Sequence, residues 1–192
     1  MVRRLAWGAA GFTGALAAIY PVIKQSSSLY ILHHLIRALS ECRTADEIFS
    51  AVESAFAEMF GLPFGIITSE RGRIRMAHQS PGFELHPGGL AIAANAITWR
   101  EPVRSPTTWA ANHFTLFVPL ITWKGAVGAL AIPLNAIQER KLRRRWAQLD
   151  DLANLTGMAI LRARLEEEAR IADRLHDTDR FQKALLHSIY TT

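Results

Sequence analysis

Beyond Asn135 the sequence runs to residue 192 with no proline and one glycine, Gly157. A run of more than 50 residues exceeds the usual globular helix. Leu142, Trp146, Leu149, Leu152, Leu155, Leu161 and Leu165 recur along it at helical spacing and make an apolar stripe. Ala172, Leu175, Leu185 and Ile189 extend the stripe more thinly through EEEARIADRLHDTDR. Asn135 with Gln138 three residues on is a capping signal at its start. A helix of this length suggests a signalling helix or coiled coil that pairs with a second copy. Leu149, Leu152, Leu161 and Leu165 are its expected homodimer contacts, because an exposed leucine stripe would stay wet. The other arrangement is one helix buried in its own domain and followed by a polar tail.

The part before this helix mixes helices and strands. Leu32, Leu35, Ile36 and Leu39 lie on one face of a first helix. Thr44 and Glu47 form a capping box for a second, carrying Ile48, Val52, Ala55, Phe56, Met59 and Phe60 as a stripe that Gly61 ends. Strand-forming runs follow at Pro63–Glu70 and in RIRMAHQ, joined by Arg71-Gly72. A loop rich in glycine and proline leads to a helix from about Leu90 to Arg100. Two apolar strands, Phe114–Ile121 and Ala126–Leu134, are linked by Trp123-Lys124-Gly125, where glycine supplies the positive φ of a tight hairpin. Without regular βαβ alternation, the fold expected is α+β, an antiparallel sheet with helices packed on one face.

At the other end, Leu5–Ile23 carries no charge. As helix its 19 residues span roughly 28 Å, close to the thickness of a bilayer core. Gly8, Gly11 and Gly14 give the small-residue spacing that favours helix packing in lipid, and Trp7 and Tyr20 stand near the ends. A membrane helix is the leading reading, with a cleaved signal sequence or a buried helix as alternatives. Arg3 and Arg4 precede the segment, so the positive-inside rule puts the N-terminus in the cytoplasm. For a lone span, that orientation conflicts with a cytoplasmic body unless further spans come before it.

Composition narrows the chemistry. The chain is basic, with 22 Lys and Arg against 17 Asp and Glu, and its positive charge clusters in RGRIR and RKLRRR. No interleaved aromatics and no nucleic-acid-binding motif accompany these runs, so no nucleic-acid partner is expected and an anionic membrane surface fits better. The single Cys42 excludes an internal disulfide and a cysteine-rich zinc site. His33 and His34 are adjacent and diverge on a helix, and no metal-ligand spacing occurs elsewhere, so no metal is expected. There is no G-x-S-x-G and no P-loop, and no catalytic residue is assigned. His78, His86 and His113 fall in or near loops that can surround a ligand pocket.

The hairpin FVPLITWKGAVGALAIPL is similar to the late hairpin of GAF domains, with Val118-Pro119-Leu120, Gly125 and Gly128-Ala129-Leu130 in the family's positions. The order of parts resembles the sensor region of KdpD-type histidine kinases, the sensors of potassium and turgor. In them an apolar membrane segment, an entry helix, a GAF body and a helix ending like FQKALLHSI lead into the phosphoacceptor box. The resemblance implies a transmembrane segment at residues 1–25, a GAF-like sensor domain at 26–136 and a signalling and dimerisation helix at 137–192. It places Thr191 where the family has its phosphoacceptor histidine, and His187 one turn earlier. No ATP-binding domain follows, so the chain is expected to lack its own kinase core and enzymatic activity.

GAF relatives that bind cyclic nucleotides, bilins or methionine sulfoxide carry signatures absent from this sequence, so no cofactor is expected. A residual ligand pocket would involve His78, His113, Phe117 and Trp123. The function implied is that of a membrane-tethered sensory and dimerisation fragment at the inner membrane, its GAF domain on the cytoplasmic side, with an intact sensor kinase as a further partner. The alternative is a stand-alone regulator that binds a small ligand and pairs with such a kinase.

Overall fold

The computed structural model describes residues 29–106 and 113–190, with side chains through residue 174. Leu5–Ile23, His187 as a side chain and Thr191 lie outside what is described. Among the described residues, no helix is long and apolar enough to cross a membrane.

Helix α1 (residues 29–41) turns directly into α2 (Ala45–Phe60). The capping box forms as expected: Thr44 Oγ1 accepts from the Glu47 amide, and the Glu47 carboxylate accepts from the amides of Arg43 and Thr44. Gly61 ends α2 at φ 61°, a left-handed conformation that its missing Cβ makes accessible. The hairpin β1 (Gly65–Glu70) and β2 (Arg73–Gln79) follows, then α3 (Gly89–Trp99), β3 (Val103–Pro106), and the long hairpin β4 (His113–Thr122) and β5 (Gly125–Asn135). Short α4 (Ala136–Arg143) and 45-residue α5 (Trp146–Tyr190) complete the described residues.

All five strands pair antiparallel in the order β2-β1-β5-β4-β3. The fold class is therefore α+β. The edge strand β3 was not expected, because four residues ending in proline carry no alternation to read. Helices cover both faces of the sheet rather than one. Ile66, Leu116, Val118, Leu120, Leu130 and Ile132 face α1, α2 and α5 in the main core. Ile67, Phe117 and Ala131 point the other way, towards Phe83 and the alanines Ala93 and Ala96 of α3. Both sets come from strands that are apolar at nearly every position, so simple alternation could not separate one buried face from two.

Two glycines let elements approach each other's backbone closely. A Cβ on Gly128 would stand 2.2 Å from the carbonyl oxygen of Ile67, so β5 can pair with β1 here only without a side chain. On α5, a Cβ at Gly157 would come within 3.1 Å of the Leu120 backbone, which lets the helix lie directly on β4.

That packing corrects the assignment of the leucine stripe. Leu149 and Leu152 are fully buried and Leu161 nearly so, all in the chain's own core, with Leu165 packed against its rim. Leu149, Leu152 and Leu161, already enclosed between helix and sheet, have no surface to offer a second copy. The boundary expected at residue 137 likewise does not divide the packing, since the first five turns of α5 complete the domain. Over residues 166–174 the helix is exposed along its whole circumference.

Candidate functional site

The four residues expected around a ligand pocket do not meet. Phe117 is buried on the α3 face of the sheet. His78 projects from β2 on the opposite face, where the extra residue Ala77 interrupts the register between the pairs Ile66–His78 and Ile67–Met76. There its Nε2 donates to the Glu53 carboxylate at 2.7 Å, with the rings of Phe49 and Phe64 alongside. His113 opens β4 as an exposed residue, and Trp123, 70% exposed, caps the β4–β5 turn under Lys124. Of the four, one belongs to the α3 core, one to the α2 interface and two to opposite ends of β4.

The charged run RKLRRR and its successors on α5 do something the sequence did not reveal. Arg145 donates to the carbonyl of Met59, in the last turn of α2, where no basic residue of that helix is available to meet the free carbonyls. Burial pushes the Arg145 guanidinium below its ordinary pKa, and its face lies over Phe60. Arg162 donates to the carbonyls of Leu39 and Cys42 at 2.6 and 2.8 Å, closing the end of α1. Arg164 donates to the carbonyl of Ser69 at 2.8 Å, at the end of β1. Three arginines thus tie the start and middle of α5 to the ends of α1, α2 and β1. The signal for this was present only as an arginine every few residues, and no periodicity rule assigns such side chains to carbonyls far away in sequence.

A cleft of about 490 Å³ opens where α2 begins, the β1–β2 hairpin ends and α5 leaves the sheet. Arg43 and Asp46 come from the α2 side, Thr68 and Arg75 from the hairpin, and Arg164 and Glu168 from α5. The hairpin rim is set by Arg71 and Gly72, which take φ 49° and 78° in the turn. Burial also pushes the Arg164 guanidinium down, against the stabilising charge of Glu70. At the nearby end of α1, burial first and then the Glu47 carboxylate raise the pKa of Cys42. The thiol is therefore neutral at physiological pH, and Cys42 Sγ donates to the Ala38 carbonyl at 3.2 Å. A second cleft of about 380 Å³ lies across β3 and α4, where Glu139 holds Arg104 at 3.3 Å and Arg143 at 3.1 Å.

The architecture is that of GAF domains. The GAF domain of the potassium sensor histidine kinase KdpD from Escherichia coli superposes with a TM-score of 0.59, covering 72% of this chain and 96% of that one at 16% identity. The A. aeolicus nlh2 GAF domain, in an inactive state, gives 0.56 over 71% and 97% at 13% identity. The GAF domain of a protein assigned as a sensor histidine kinase in Pseudomonas syringae pv. tomato gives 0.53 over 81% and 99% at 17% identity. No protein-family model matches the sequence, and neither does any curated protein.

Proposed function

We propose that this chain is the sensory module of a KdpD-like two-component signalling protein, working by relay along α5 rather than by catalysis. The observation that carries the reading is the division of α5. Its first turns are enclosed by the sheet, while residues 166–174 are exposed on every side. A rigid helix rooted in a sensor core and extending beyond it converts a small shift of the sheet into a displacement at its far end. The GAF architecture, shared with domains of sensor histidine kinases, supports the same role.

In this reading Leu5–Ile23 tethers the module to the inner membrane with the GAF body on the cytoplasmic side, and α5 pairs in parallel with a second copy or with an intact kinase. Leu149, Leu152 and Leu161, first expected at that seam, are occupied in the core, so pairing falls to the exposed part of α5. Ile171, 47% exposed, is the apolar residue best placed to begin it.

The test is oxidative cross-linking of the full chain in native membranes. Cys42→Ala provides the background, and single cysteines replace Glu167, Arg170, Ile171 and Arg174 in turn. Parallel pairing predicts a disulfide-linked dimer strongest at position 171, weaker one turn away on the same face at 167 and 174, and weakest at 170, about 100° round the helix. Equal or absent cross-linking at all four positions would refute pairing through this segment.

A further inference from the structure

The cleft between α2, the β1–β2 hairpin and α5 contains an unsatisfied group. Thr68 is 4% exposed, lines the cleft, and its Oγ1 has no hydrogen-bond partner. Buried hydroxyls are almost always partnered, and an orphan facing a cavity marks a place where something else supplies the partner. Ser69, the next residue along β1, holds the Arg164 guanidinium through its carbonyl. That bond occupies one of five donors, and Arg164 makes no ion pair within 4 Å among the described residues.

The surroundings add further donors. Arg75 lines the same wall and meets Glu70 only at 3.8 Å, leaving its fork largely free. Arg43 and Arg71 stand at the rim. Ala45 and Asp46 line the cleft at the start of the 16-residue α2, where the first amides have no partner within the helix. Carboxylates are present too: Asp46, Glu70, Glu167 and Glu168, with Arg170 paired to Glu167 at 3.3 Å. The remaining wall is apolar, built by Ile48, Phe49, Met76 and Ile160, with Ile171 at the α5 end.

We propose that this cleft binds a small soluble phosphate ester, its phosphoryl oxygens held by the Arg164 and Arg75 forks and by the Thr68 hydroxyl. A planar guanidinium matches two phosphoryl oxygens at once, and the hydroxyl donates to the third. The apolar wall takes the organic part, which inorganic phosphate lacks. The carboxylates at the rim accept from hydroxyls or amines of the ligand and set a limit on its total negative charge. The inference goes beyond the signalling reading. It gives the module a ligand on the face where α5 is rooted, so that occupancy bears on the hairpin, the start of α2 and α5 together.

The experiment uses the full chain in detergent, with phenyl phosphate as the probe and ³¹P line broadening and calorimetry as readouts. Binding in the millimolar range or tighter is expected, with inorganic phosphate weaker and phenol inert. Thr68→Val keeps the shape and removes the orphaned hydroxyl, and it is expected to weaken binding about tenfold while leaving the fold intact. Arg75→Gln changes a side chain 70% exposed, so the fold tolerates it, and it is expected to weaken binding similarly. Absence of binding, or affinity unchanged in both variants, would overturn the proposal. So would a Thr68-dependent response to short-chain phosphatidic acid with none to phenyl phosphate, which would assign the cleft to a lipid headgroup. Cross-linking at position 171 is read separately, so failure here leaves the relay reading standing or falling by itself.

Discussion

Replacing Arg162 with alanine tests how α5 is fastened to the rest of the domain. The guanidinium closes the end of α1 by donating to the carbonyls of Leu39 and Cys42 at 2.6 and 2.8 Å, partners more than a hundred residues away. Its Nε makes no hydrogen bond and stands 3.5 Å from the Glu166 carboxylate, an interaction of small value at this exposure. A charged hydrogen bond contributes roughly 1.5–3 kcal/mol when its loss leaves the partner unsatisfied. The side chain is 39% exposed, so water can reach the two carbonyls and recover part of that. A net loss of about 2 kcal/mol is the result expected, equivalent to roughly 4–8 °C in Tm for a domain of this size. One nitrogen, Nη2, makes both bonds, so the single ammonium of Arg162→Lys should regain part of the loss. Urea unfolding followed by helical circular dichroism measures both. A loss below about 0.5 kcal/mol for alanine would show that these bonds contribute little beyond what water supplies, whereas recovery with lysine would show that one charged nitrogen suffices to make them.

Three further perturbations have outcomes fixed by the same structure. Gly128→Ala puts a methyl group 2.2 Å from a backbone oxygen in the middle of the sheet, and should cost more than about 3 kcal/mol by urea unfolding; a cost under about 1 would mean the strands separate easily. The amides of Arg43 and Thr44 hold the Glu47 carboxyl below its usual range, so its contribution is complete above the unfolded pKa and disappears as pH falls through the lower folded one. Between about pH 5 and pH 3 the wild type should therefore lose more stability than Glu47→Gln, and parallel pH profiles would contradict this. Burial raises the pKa of Cys42, so iodoacetamide near pH 8 should alkylate the folded chain more slowly than the chain in urea, and an equal rate would contradict the assignment.

What the sequence made legible follows the strength of local rules. The Thr44–Glu47 and Asn135–Gln138 capping boxes, the Arg71-Gly72 turn and the long hairpin all stand where residue chemistry puts them, because each depends on neighbours within four positions. The leucine stripe of α5 was equally legible as a stripe. Its partner was not, since Leu149 against β4 and Leu149 against a second helix require the same spacing. Gly157 was the available clue, because a helix that tolerates glycine at mid-length is being brought close to something. The candidate site was the least legible part. His78 and Trp123 attract attention as residue types, yet one is paired with Glu53 and the other caps a turn. Thr68 and Arg164 become notable only when burial and a missing partner are known.

The first half of α5 is part of the core of its own domain. The double substitution Leu149→Asp with Leu152→Asp in the full chain decides it, read by near-ultraviolet circular dichroism together with sedimentation. Both side chains are completely buried between helix and sheet. Two carboxylates there lose the packing of two leucines, about 2–5 kcal/mol each for truncation alone, and add the cost of burying charge. That sum reaches the whole stability of an ordinary domain. Loss of the native near-ultraviolet spectrum is expected at every protein concentration, whatever the state of association. A native spectrum on a particle that sediments as a smaller species would contradict it, and would return these leucines to an interface between copies.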